Sequence, residues 1–278
     1  MLSGMSTLFK DWFDRDGYAV ARGVFRAGEV DRLRDHFMTL RRRGSYVDDL
    51  VGVEPDSRDP LRRYPRMAQM HRWDDVSLRW LLDARLRSRL VELLGTDPYA
   101  VQTMLYFKPP GSRGQALHQD NFYLRAEPGT CVAAWMALDP ADEANGCMLV
   151  VPGSHRWPIL CTAKADTAFS FTDVSVPIPP GQRIEPVLMD PGDVLFFTGS
   201  LVHGSMPNTT TDRFRRALIG HYIEADARQV AEYYHPALRM DGTPLRLDVS
   251  VGGGACGEWA ADGTIALTGR HAVSRKHE

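Results

Sequence analysis

The sequence predicts an antiparallel β-sandwich or jelly roll with helices packed on its outside. Beyond about residue 96, short β-prone runs recur every ten residues or so, and turn signals such as PPG, NG, PGS and DPGD separate them. Before that point, apolar residues recur at helical spacing in three segments. Because such helices bury one apolar stripe, we expect them to cover a face of the β-sandwich.

The three helical segments have recognisable ends. Ser6 is expected to cap a first helix over 7–16, and the run YAVARGVF that follows alternates like a short strand. A second helix is expected over 27–44, where apolar residues recur on one face. Ser77 is expected to open a third helix over 78–95, closed by a glycine. Between the second and third helices, little periodicity indicates a long irregular connection from Tyr46 to Trp73.

The β-prone part supplies seven expected strands. They are the runs YAVQTMLYFKPPG, LHQDNFYL, CVAAWMAL, CMLVVPG, IEPVLMDPG, DVLFFTG and RRALIGHYI. The segment from Cys161 to Ile184 has a weak pattern, and we expect it to form an excursion over one mouth of the barrel. The whole chain is interpreted as one domain, with a mainly helical part (1–95), a jelly-roll core (96–225) and a C-terminal extension (226–278).

Charge and composition exclude several classes of partner. The 33 Lys and Arg residues nearly balance the 35 Asp and Glu residues, so the net charge of -2 favours neither nucleic acid nor an anionic membrane. A small-molecule ligand is the expected partner. No apolar run approaches a membrane span and the N-terminus lacks a secretion signal, which predicts a cytoplasmic protein. The four cysteines, Cys131, Cys147, Cys161 and Cys256, lack CxxC spacing and are expected to be reduced, mostly buried thiols.

A histidine and an aspartate stand two residues apart in the run ALHQDNFYLR. In an extended strand, His118 and Asp120 point to one face while Gln119 points to the other. The run DPGDVLFFTGSLVHGSMPN has a buried-looking strand followed by a loop that delivers His203. Two histidines and one carboxylate match the facial arrangement that holds non-haem Fe(II) and leaves three positions open. Those positions would admit a chelating cosubstrate and dioxygen together.

An arginine group follows the second histidine of this candidate site. The run DRFRRAL places Arg215 at the start of the next strand, where its guanidinium is suited to a bidentate grip on the far carboxylate of a dicarboxylic keto acid. HxD alone is a weak motif, and an inward-facing histidine is often only a hydrogen-bonded core residue. The combination of the two histidines, the aspartate and the arginine is what favours a metal site.

The chain resembles the phytanoyl-CoA dioxygenase-like family of Fe(II)- and 2-oxoglutarate-dependent oxygenases. The resemblance runs from DRDGYAVARGVF to about Tyr222, and its strongest matches are TMLYFKPPG, LHQD, AWMAL, NGCMLVVPGSH, PGDVLFF, HGSMPN and FRRAL. It implies a double-stranded β-helix, a jelly-roll variant. It further implies that iron is bound by His118, Asp120 and His203 and that the reaction uses 2-oxoglutarate and O₂.

The resemblance also implies a binding pocket for 2-oxoglutarate. The carboxylate would be bound by Arg215 with the hydroxyl of Ser205 beside it, and Gln102, Met104 and Trp135 fall where the family builds the pocket walls. The run TTTDRFRRAL is one residue longer than the usual spacing, which leaves Arg213 and Arg216 as rivals to Arg215. The first arginine of the FRRAL pair is the expected ligand.

The expected reaction is hydroxylation of a small metabolite with release of succinate and CO₂. Halogenating relatives lack a carboxylate at the position of Asp120, so its presence favours hydroxylation, although desaturation, ring closure or epimerisation are open to the same chemistry. Two alternatives stay open. One is a metal-dependent, cupin-like isomerase or lyase whose arginine binds the substrate, and the other is a binding module with a vestigial site.

Overall fold

The computed structural model describes residues 2–44, 52–252 and 254–269, with the side chains of the first helix described from Leu8 onward. The helices are α1 (Leu2–Asp16), α2 (Ala27–Arg42), α3 (Pro60–Arg63), α4 (Asp75–Leu81), α5 (Ala84–Leu94) and α6 (Asn121–Leu124), with 3₁₀ turns at Met70–Arg72, Ser154–Arg156 and Glu232–Tyr234. The strands are β1 (Tyr18–Ala21), β2 (Met67–Ala68), β3 (Tyr99–Tyr106), β4 (Gln115–His118), β5 (Cys131–Ala137), β6 (Met148–Val150), β7 (Ala163–Lys164), β8 (Val174–Ser175), β9 (Glu185–Val187), β10 (Val194–Thr198), β11 (His203–Ser205), β12 (Ala217–Ile223), β13 (Gln229–Val230), β14 (Ala237–Leu238), β15 (Pro244–Leu245), β16 (Asp248–Val249), β17 (Cys256–Trp259) and β18 (Ile265–Thr268).

Two antiparallel sheets form the jelly-roll core that the sequence predicts. The larger sheet runs in the order β1–β10–β5–β12–β3–β14–β15, with β2 also paired to β3, and the smaller one in the order β4–β11–β6–β9. Trp135 and Ile219 of the larger sheet pack with Met148 and Val187 of the smaller sheet, so one apolar core fills the space between the two sheets. The functional side chains described below line this interior.

The helices cover the other face of the larger sheet, as expected. Phe9 of α1, Phe37 of α2 and Leu90 of α5 share a buried cluster with Leu218 and Phe196, which point outward from their strands. Outward and inward residues alternate along β12, because Leu218 belongs to this cluster while its neighbour Ile219 belongs to the inner core. The prediction of a β core with helices on its outside is therefore confirmed. No helix in the described ranges is both long and apolar enough to cross a bilayer.

Several predicted element boundaries are wrong. The first helix begins at Leu2, so Ser6 lies inside it and is not its cap. The third helix is two helices, α4 and α5. Asp74 caps α4 by accepting a hydrogen bond from the backbone of Ser77, and Asp83 caps α5 by accepting one from the backbone of Arg85.

The connection between α2 and α4 is more ordered than its sequence indicates. Residues 45–51 lie outside the described ranges, but the rest contains α3 and β2. Pairing of Met67 with Leu105 and of Ala68 with Met104 adds this segment to the edge of the larger sheet. The backbone hydrogen bonds of a sheet edge impose order here where side-chain periodicity is absent.

The prediction of four reduced cysteines is wrong for one pair. Cys161 and Cys256 form a disulfide, which joins the segment after β6 to β17, whereas Cys131 and Cys147 are free and buried. The two paired cysteines are separated by 95 residues, so no local spacing signals the bond.

We expect reduction of this disulfide to destabilise the protein. A bond that closes so long a loop restricts the unfolded chain, and loss of such bonds typically costs about 2–4 kcal/mol. Urea unfolding with and without dithiothreitol measures the effect, and Cys161→Ser should reproduce it. Equal midpoints with and without the reductant would contradict this expectation, and Cys147→Ser is the control for loss of a buried thiol.

Candidate metal and 2-oxoglutarate site

The two candidate histidines are cross-strand partners in the smaller sheet. His203 of β11 pairs with His118 at the end of β4, and the ring centroids are 4.1 Å apart. His203 therefore lies in a strand rather than in the loop that the sequence predicts. His203 is only 3% exposed, and Phe197 packs against its ring at a centroid distance of 4.5 Å. The smaller sheet thus fixes both imidazoles side by side.

Asp120 reaches the same point by a different route from the one predicted. Strand β4 ends at His118, and Asp120 has helical backbone angles (φ -63°, ψ -35°) at the start of α6. The two side chains therefore meet through a turn and not through strand alternation. Gln119 points elsewhere, as expected, because its side chain donates to the carbonyls of Pro158 and Ser200.

The ligand atoms of the three residues converge. One atom from each of His118, Asp120 and His203 lies within 4.8 Å of the others. Nδ1 of His118 lies 2.9 Å from the carbonyl of Ala116, and Nδ1 of His203 lies 3.0 Å from the carbonyl of Leu201. Each Nδ1 therefore donates to a backbone carbonyl, and Nε2 is the nitrogen of each ring that faces the cluster and would bind a metal. Nε2 of His118 also lies 3.1 Å from the side-chain nitrogen of Gln115. Two imidazole nitrogens and one carboxylate oxygen are a donor set that fits Fe(II).

Burial and mutual contacts set the charge state of this cluster. Burial, reinforced by His118, lowers the pKa of His203 to about 4, so the ring is neutral at pH 7. Burial alone would raise the pKa of Asp120, but interactions with His203, His118 and His221 override it and hold this pKa well below its usual range. The cluster thus presents a carboxylate and a neutral imidazole at neutral pH, the protonation states that metal binding requires.

Arg215 lies buried at the other end of this space. It is 3% exposed, its Nε donates to the carbonyl of Gly146 at 3.0 Å, and its guanidinium carbon lies 5.1 Å from the ring centroid of Trp135. Within the described part of the chain, its buried Nη1 has no hydrogen-bond partner. Burial lowers the pKa of Arg215 to about 10, which still leaves it charged at pH 7. A buried, charged donor without a partner is what an anionic ligand would satisfy.

A second buried basic side chain lies beside Arg215. Nζ of Lys108 donates to Oγ of Ser205 at 2.9 Å and also to the carbonyl of Met206. Burial and the positive charge of Arg215 lower the pKa of Lys108 well below its usual value. Arg215, Lys108 and Ser205 together form what we call the anion pocket.

The two rival arginines are engaged elsewhere. Arg213 is exposed and forms an ion pair with Asp142 at 2.6 Å. Arg216 points to the other face of its strand and binds both carboxylate oxygens of Asp139 at 2.7 Å. Only Arg215 of the three is buried next to Ser205 and Lys108, which favours it as the carboxylate ligand.

The remaining predicted pocket residues face the same interior. Strand pairing places Met104 opposite Ile219 and Gln102 opposite His221, both on the inward face of β12. Trp135, on the other side of Ile219, stacks on the Arg215 guanidinium. Gln102 therefore lies level with the histidine and carboxylate cluster, whereas Trp135 contacts the anion pocket.

The sequence reasoning missed Lys108 and the role of Gly146. Lys108 lies in the quoted motif FKPPG, yet no pattern indicates that its ammonium group is buried. From the sequence, Gly146 is expected only to form a turn, as the glycine of the turn signal NG. Its φ of +87° and its approach to Lys108 and to the carbonyl of Met206 show that it also shapes the anion pocket. A lysine before PPG and a glycine in NGC were the available signals.

Comparison with known sequences gives a family match over most of the chain. The model of the phytanoyl-CoA dioxygenase (PhyH) family matches residues 13–217. Phytanoyl-CoA dioxygenase 1 of Oryza sativa subsp. japonica is 30% identical over 56% of this chain and 56% of its own. The peroxisomal phytanoyl-CoA dioxygenase of Rattus norvegicus is 25% identical over 80% of this chain and 69% of its own. The chain thus spans little more than half of the rice protein.

Solved structures share the architecture. The epimerase SnoN, crystallised with Fe³⁺, α-ketoglutarate and nogalamycin RO, superposes with a TM-score of 0.63 at 22% identity, covering 90% of this chain and 97% of its own, which shows the fold. EctD from S. alaskensis, crystallised with 2-oxoglutarate and 5-hydroxyectoine, has a TM-score of 0.64 at 25% identity, covering 87% of this chain and 86% of its own.

Family match, fold and site chemistry agree, and the chain belongs to the phytanoyl-CoA dioxygenase family of Fe(II)- and 2-oxoglutarate-dependent oxygenases.

Proposed function

We propose that this enzyme hydroxylates a small-molecule metabolite, with 2-oxoglutarate converted to succinate and CO₂. The observation that supports this proposal is the placement of the His118, Asp120 and His203 cluster and the anion pocket in one interior. His118, Asp120 and His203 would hold Fe(II), which when bound supplies the activation of dioxygen that organic side chains cannot perform.

One residue of each part of the site lies on β11, at a spacing that suits a five-carbon diacid. His203 and Ser205 are alternate residues of β11 and project to the same side, with Cα atoms about 6.6 Å apart in an extended strand. Arg215 and Lys108 would bind the far carboxylate of 2-oxoglutarate, and Ser205 would donate a hydrogen bond to it. This places the keto end of the diacid toward the histidine and carboxylate cluster.

The surrounding side chains keep water out of the anion pocket. Arg215 and Lys108 are each 3% exposed, and Trp135 covers the guanidinium. In a site of low dielectric constant, charge-assisted hydrogen bonds to a carboxylate are stronger than in water. The pocket would therefore select a dicarboxylic keto acid over a monocarboxylic one.

The experiment that tests hydroxylation uses ¹⁸O₂ and a screen of metabolites for oxygen uptake above the uncoupled rate. A true substrate should yield a product that carries one ¹⁸O atom and forms one succinate per turnover. A product without ¹⁸O, formed together with succinate, would indicate that the reaction is desaturation, ring closure or epimerisation rather than hydroxylation. Turnover under argon without 2-oxoglutarate would favour an isomerase or lyase, and absence of any keto-acid decarboxylation would favour a vestigial binding module.

The cytoplasmic location predicted from the sequence stays a prediction. The disulfide between Cys161 and Cys256 bears on it, because such bonds persist mainly in oxidising compartments. Mass spectrometry of protein alkylated directly in cell extracts distinguishes a location in the cytoplasm from one in an oxidising compartment. A cytoplasmic enzyme should show these two cysteines alkylated, and a protein of an oxidising compartment should show them protected.

At pH values above the lowered pKa of Lys108 in the free protein, we expect 2-oxoglutarate binding to be accompanied by proton uptake at this amine. The pKa of Lys108 is lowered in the free protein by burial and by Arg215, and an arriving carboxylate raises it again. The affinity for 2-oxoglutarate should then be greatest at pH values below the pKa of Lys108 in the free protein. It should fall as the pH rises from that value towards the pKa of Lys108 in the complex. Calorimetry in buffers of different ionisation enthalpy measures the uptake. Unchanged uptake in Lys108→Met would contradict this source of the proton.

We expect Gly146→Ala to weaken both folding and 2-oxoglutarate binding. A Cβ at Gly146 would lie 2.5 Å from the carbonyl oxygen of Met206 and 2.9 Å from Cε of Lys108, and φ is +87°. Such strain costs about 1–3 kcal/mol, and the shift moves the carbonyl that accepts from Arg215. Gly181→Ala is a matched control, because Gly181 has φ +85° with open space around it. Equal 2-oxoglutarate affinity in the two variants would contradict the role of Gly146 in the pocket.

A further inference from the structure

His221 is a buried histidine at the metal end of the interior. It lies on β12, is 4% exposed, and has Gln102 and Ala133 as its neighbours on the two flanking strands. The small side chain of Ala133 leaves room for the imidazole next to it. His221 shares the inward face with Arg215, Ala217 and Ile219, so its ring belongs to the same space as the candidate metal ligands.

The two oxygens of Asp120 have different surroundings. Oδ1 lies 3.5 Å from Nε2 of His118 and 3.6 Å from Nε2 of His203, between the two ring nitrogens that face the cluster. Oδ2 lies 3.2 Å from Nε2 of His221. Oδ1 is therefore the oxygen placed to bind a metal, and Oδ2 is occupied by a hydrogen bond from His221.

The contacts of His221 define its tautomer. A carboxylate only accepts hydrogen bonds, so Nε2 of His221 carries the proton that it donates to Asp120. Nδ1 is buried and has no partner among the described residues. Leaving Nδ1 unsatisfied in the interior costs free energy. Within the described residues, the hydrogen bond from Nε2 to Asp120 is therefore the polar contact that holds this ring in place.

We infer that His221 is a positioning residue that holds Asp120 as a single-oxygen ligand, an inference that rests on the proposed metal site. Its hydrogen bond engages Oδ2 and directs Oδ1 toward His118 and His203. Without it the carboxylate is free to rotate about its terminal torsion, which is broad, or to present both oxygens. A carboxylate that gives one oxygen preserves the open positions that a chelating keto acid and dioxygen need.

The test compares Fe(II) affinity among His221 variants by anaerobic equilibrium dialysis with the metal alone. His221→Leu removes the donor, and His221→Asn keeps an amide that is too short to replace Nε2. His221→Gln places an amide nitrogen near the position of Nε2 and should restore the contact. Loss of a hydrogen-bond partner of a metal ligand typically costs 10–100-fold in affinity, so we expect Leu and Asn to weaken Fe(II) binding by about 10-fold or more and Gln to recover most of it.

His71→Leu is a matched control for the loss of a buried histidine. His71 is 6% exposed, and its Nδ1 lies 3.0 Å from Oγ1 of Thr103. Thr103 belongs to the larger sheet but points away from the interior. The variant His71→Leu should lower the unfolding temperature of the metal-free protein, as His221→Leu does, but should leave Fe(II) affinity unchanged. The visible band of the anaerobic Fe(II) and 2-oxoglutarate complex should shift in His221→Leu and not in His71→Leu.

Two outcomes would overturn the inference. One is Fe(II) affinity within twofold of wild type in His221→Asn and His221→Leu, and the other is a Gln variant no better than the Asn variant. Failure of the metal site itself is distinguished by His118→Ala. If His118→Ala also leaves Fe(II) binding unchanged, the proposed site is wrong; if it abolishes binding while the His221 variants do not, only the role of His221 is wrong.

Discussion

Asp120→Ala is expected to abolish 2-oxoglutarate-dependent oxygen consumption and to weaken Fe(II) binding by more than about 100-fold. The upper end for loss of a mere hydrogen-bond partner of a ligand is about 100-fold, and Asp120 is the carboxylate of the ligand set itself. The substitution leaves His118, His203 and His221 around an apolar methyl group. Two imidazole ligands alone lack the negative charge that favours a divalent ion over water.

Oxygen-electrode rates and Fe(II) equilibrium dialysis check this expectation. Asp262→Ala is a suitable control, since Asp262 is a fully exposed carboxylate in the turn between β17 and β18. It should behave as wild type in both assays. Retention of keto-acid-dependent oxygen uptake by Asp120→Ala at wild-type level would show that another residue completes the ligand set.

Arg215→Ala is expected to raise the 2-oxoglutarate requirement by at least about 30-fold. Removing one partner of a buried charge pair costs about 2–5 kcal/mol, and the lower value corresponds to this factor. Arg215 is 3% exposed, and its Nη1 has no partner within the described residues, so a bound carboxylate would be its counter-charge. Lys108 would retain part of the binding, because its Nζ faces the same pocket.

The neighbouring arginines provide matched controls for this prediction. Arg213→Ala removes an exposed ion pair with Asp142, a loss that typically costs under about 1 kcal/mol, so the requirement should change only a few-fold. Arg216→Ala leaves Asp139 without its bidentate partner, which should lower stability but leave the keto-acid affinity of the folded fraction intact. A large loss in either control, with none in Arg215→Ala, would contradict the position given to Arg215.

The parts of the fold that could be predicted are those whose residues form a clear hydrophobic pattern in the sequence. The run VLFF forms β10, and the run RRALIGHYI forms β12 from Ala217 onward, because strands that are buried on both faces are continuously apolar. The division between α4 and α5 could not be predicted in this way. The apolar spacing continues across this boundary, and only the capping hydrogen bond that Asp83 accepts from the backbone N–H of Arg85 reveals the new helix.

The candidate site was predicted for a reason that is partly wrong. Strand alternation placed His118 and Asp120 together, but β4 ends at His118 and a turn brings the carboxylate to the imidazoles. The HxD motif can thus be recognised from the identity and order of its residues even where the predicted local conformation is wrong. The contact between His221 and Asp120, 101 residues apart, depends on how the strands pair, and a single sequence does not state that pairing.

Buried charge was the feature least accessible to sequence reasoning. Lys108 occurs in a run of ordinary strand and turn residues, and lysine is mostly exposed in proteins. Its burial follows from the close approach of Gly146 and the carbonyl of Met206, which surround its side chain. The same tertiary packing closes the disulfide between Cys161 and Cys256, for which the sequence offered no spacing signal.

The most direct measurement of the central claim is the visible absorption of the protein with Fe(II) and 2-oxoglutarate under anaerobic conditions. If His118, Asp120 and His203 hold the metal while Arg215 and Lys108 hold the keto acid next to it, wild type should show a weak charge-transfer band. Asp120→Ala should show none, and Arg215→Ala should show the band only at much higher 2-oxoglutarate concentration. A wild-type protein with Fe(II) and 2-oxoglutarate both demonstrably bound, and no such band, would contradict the account.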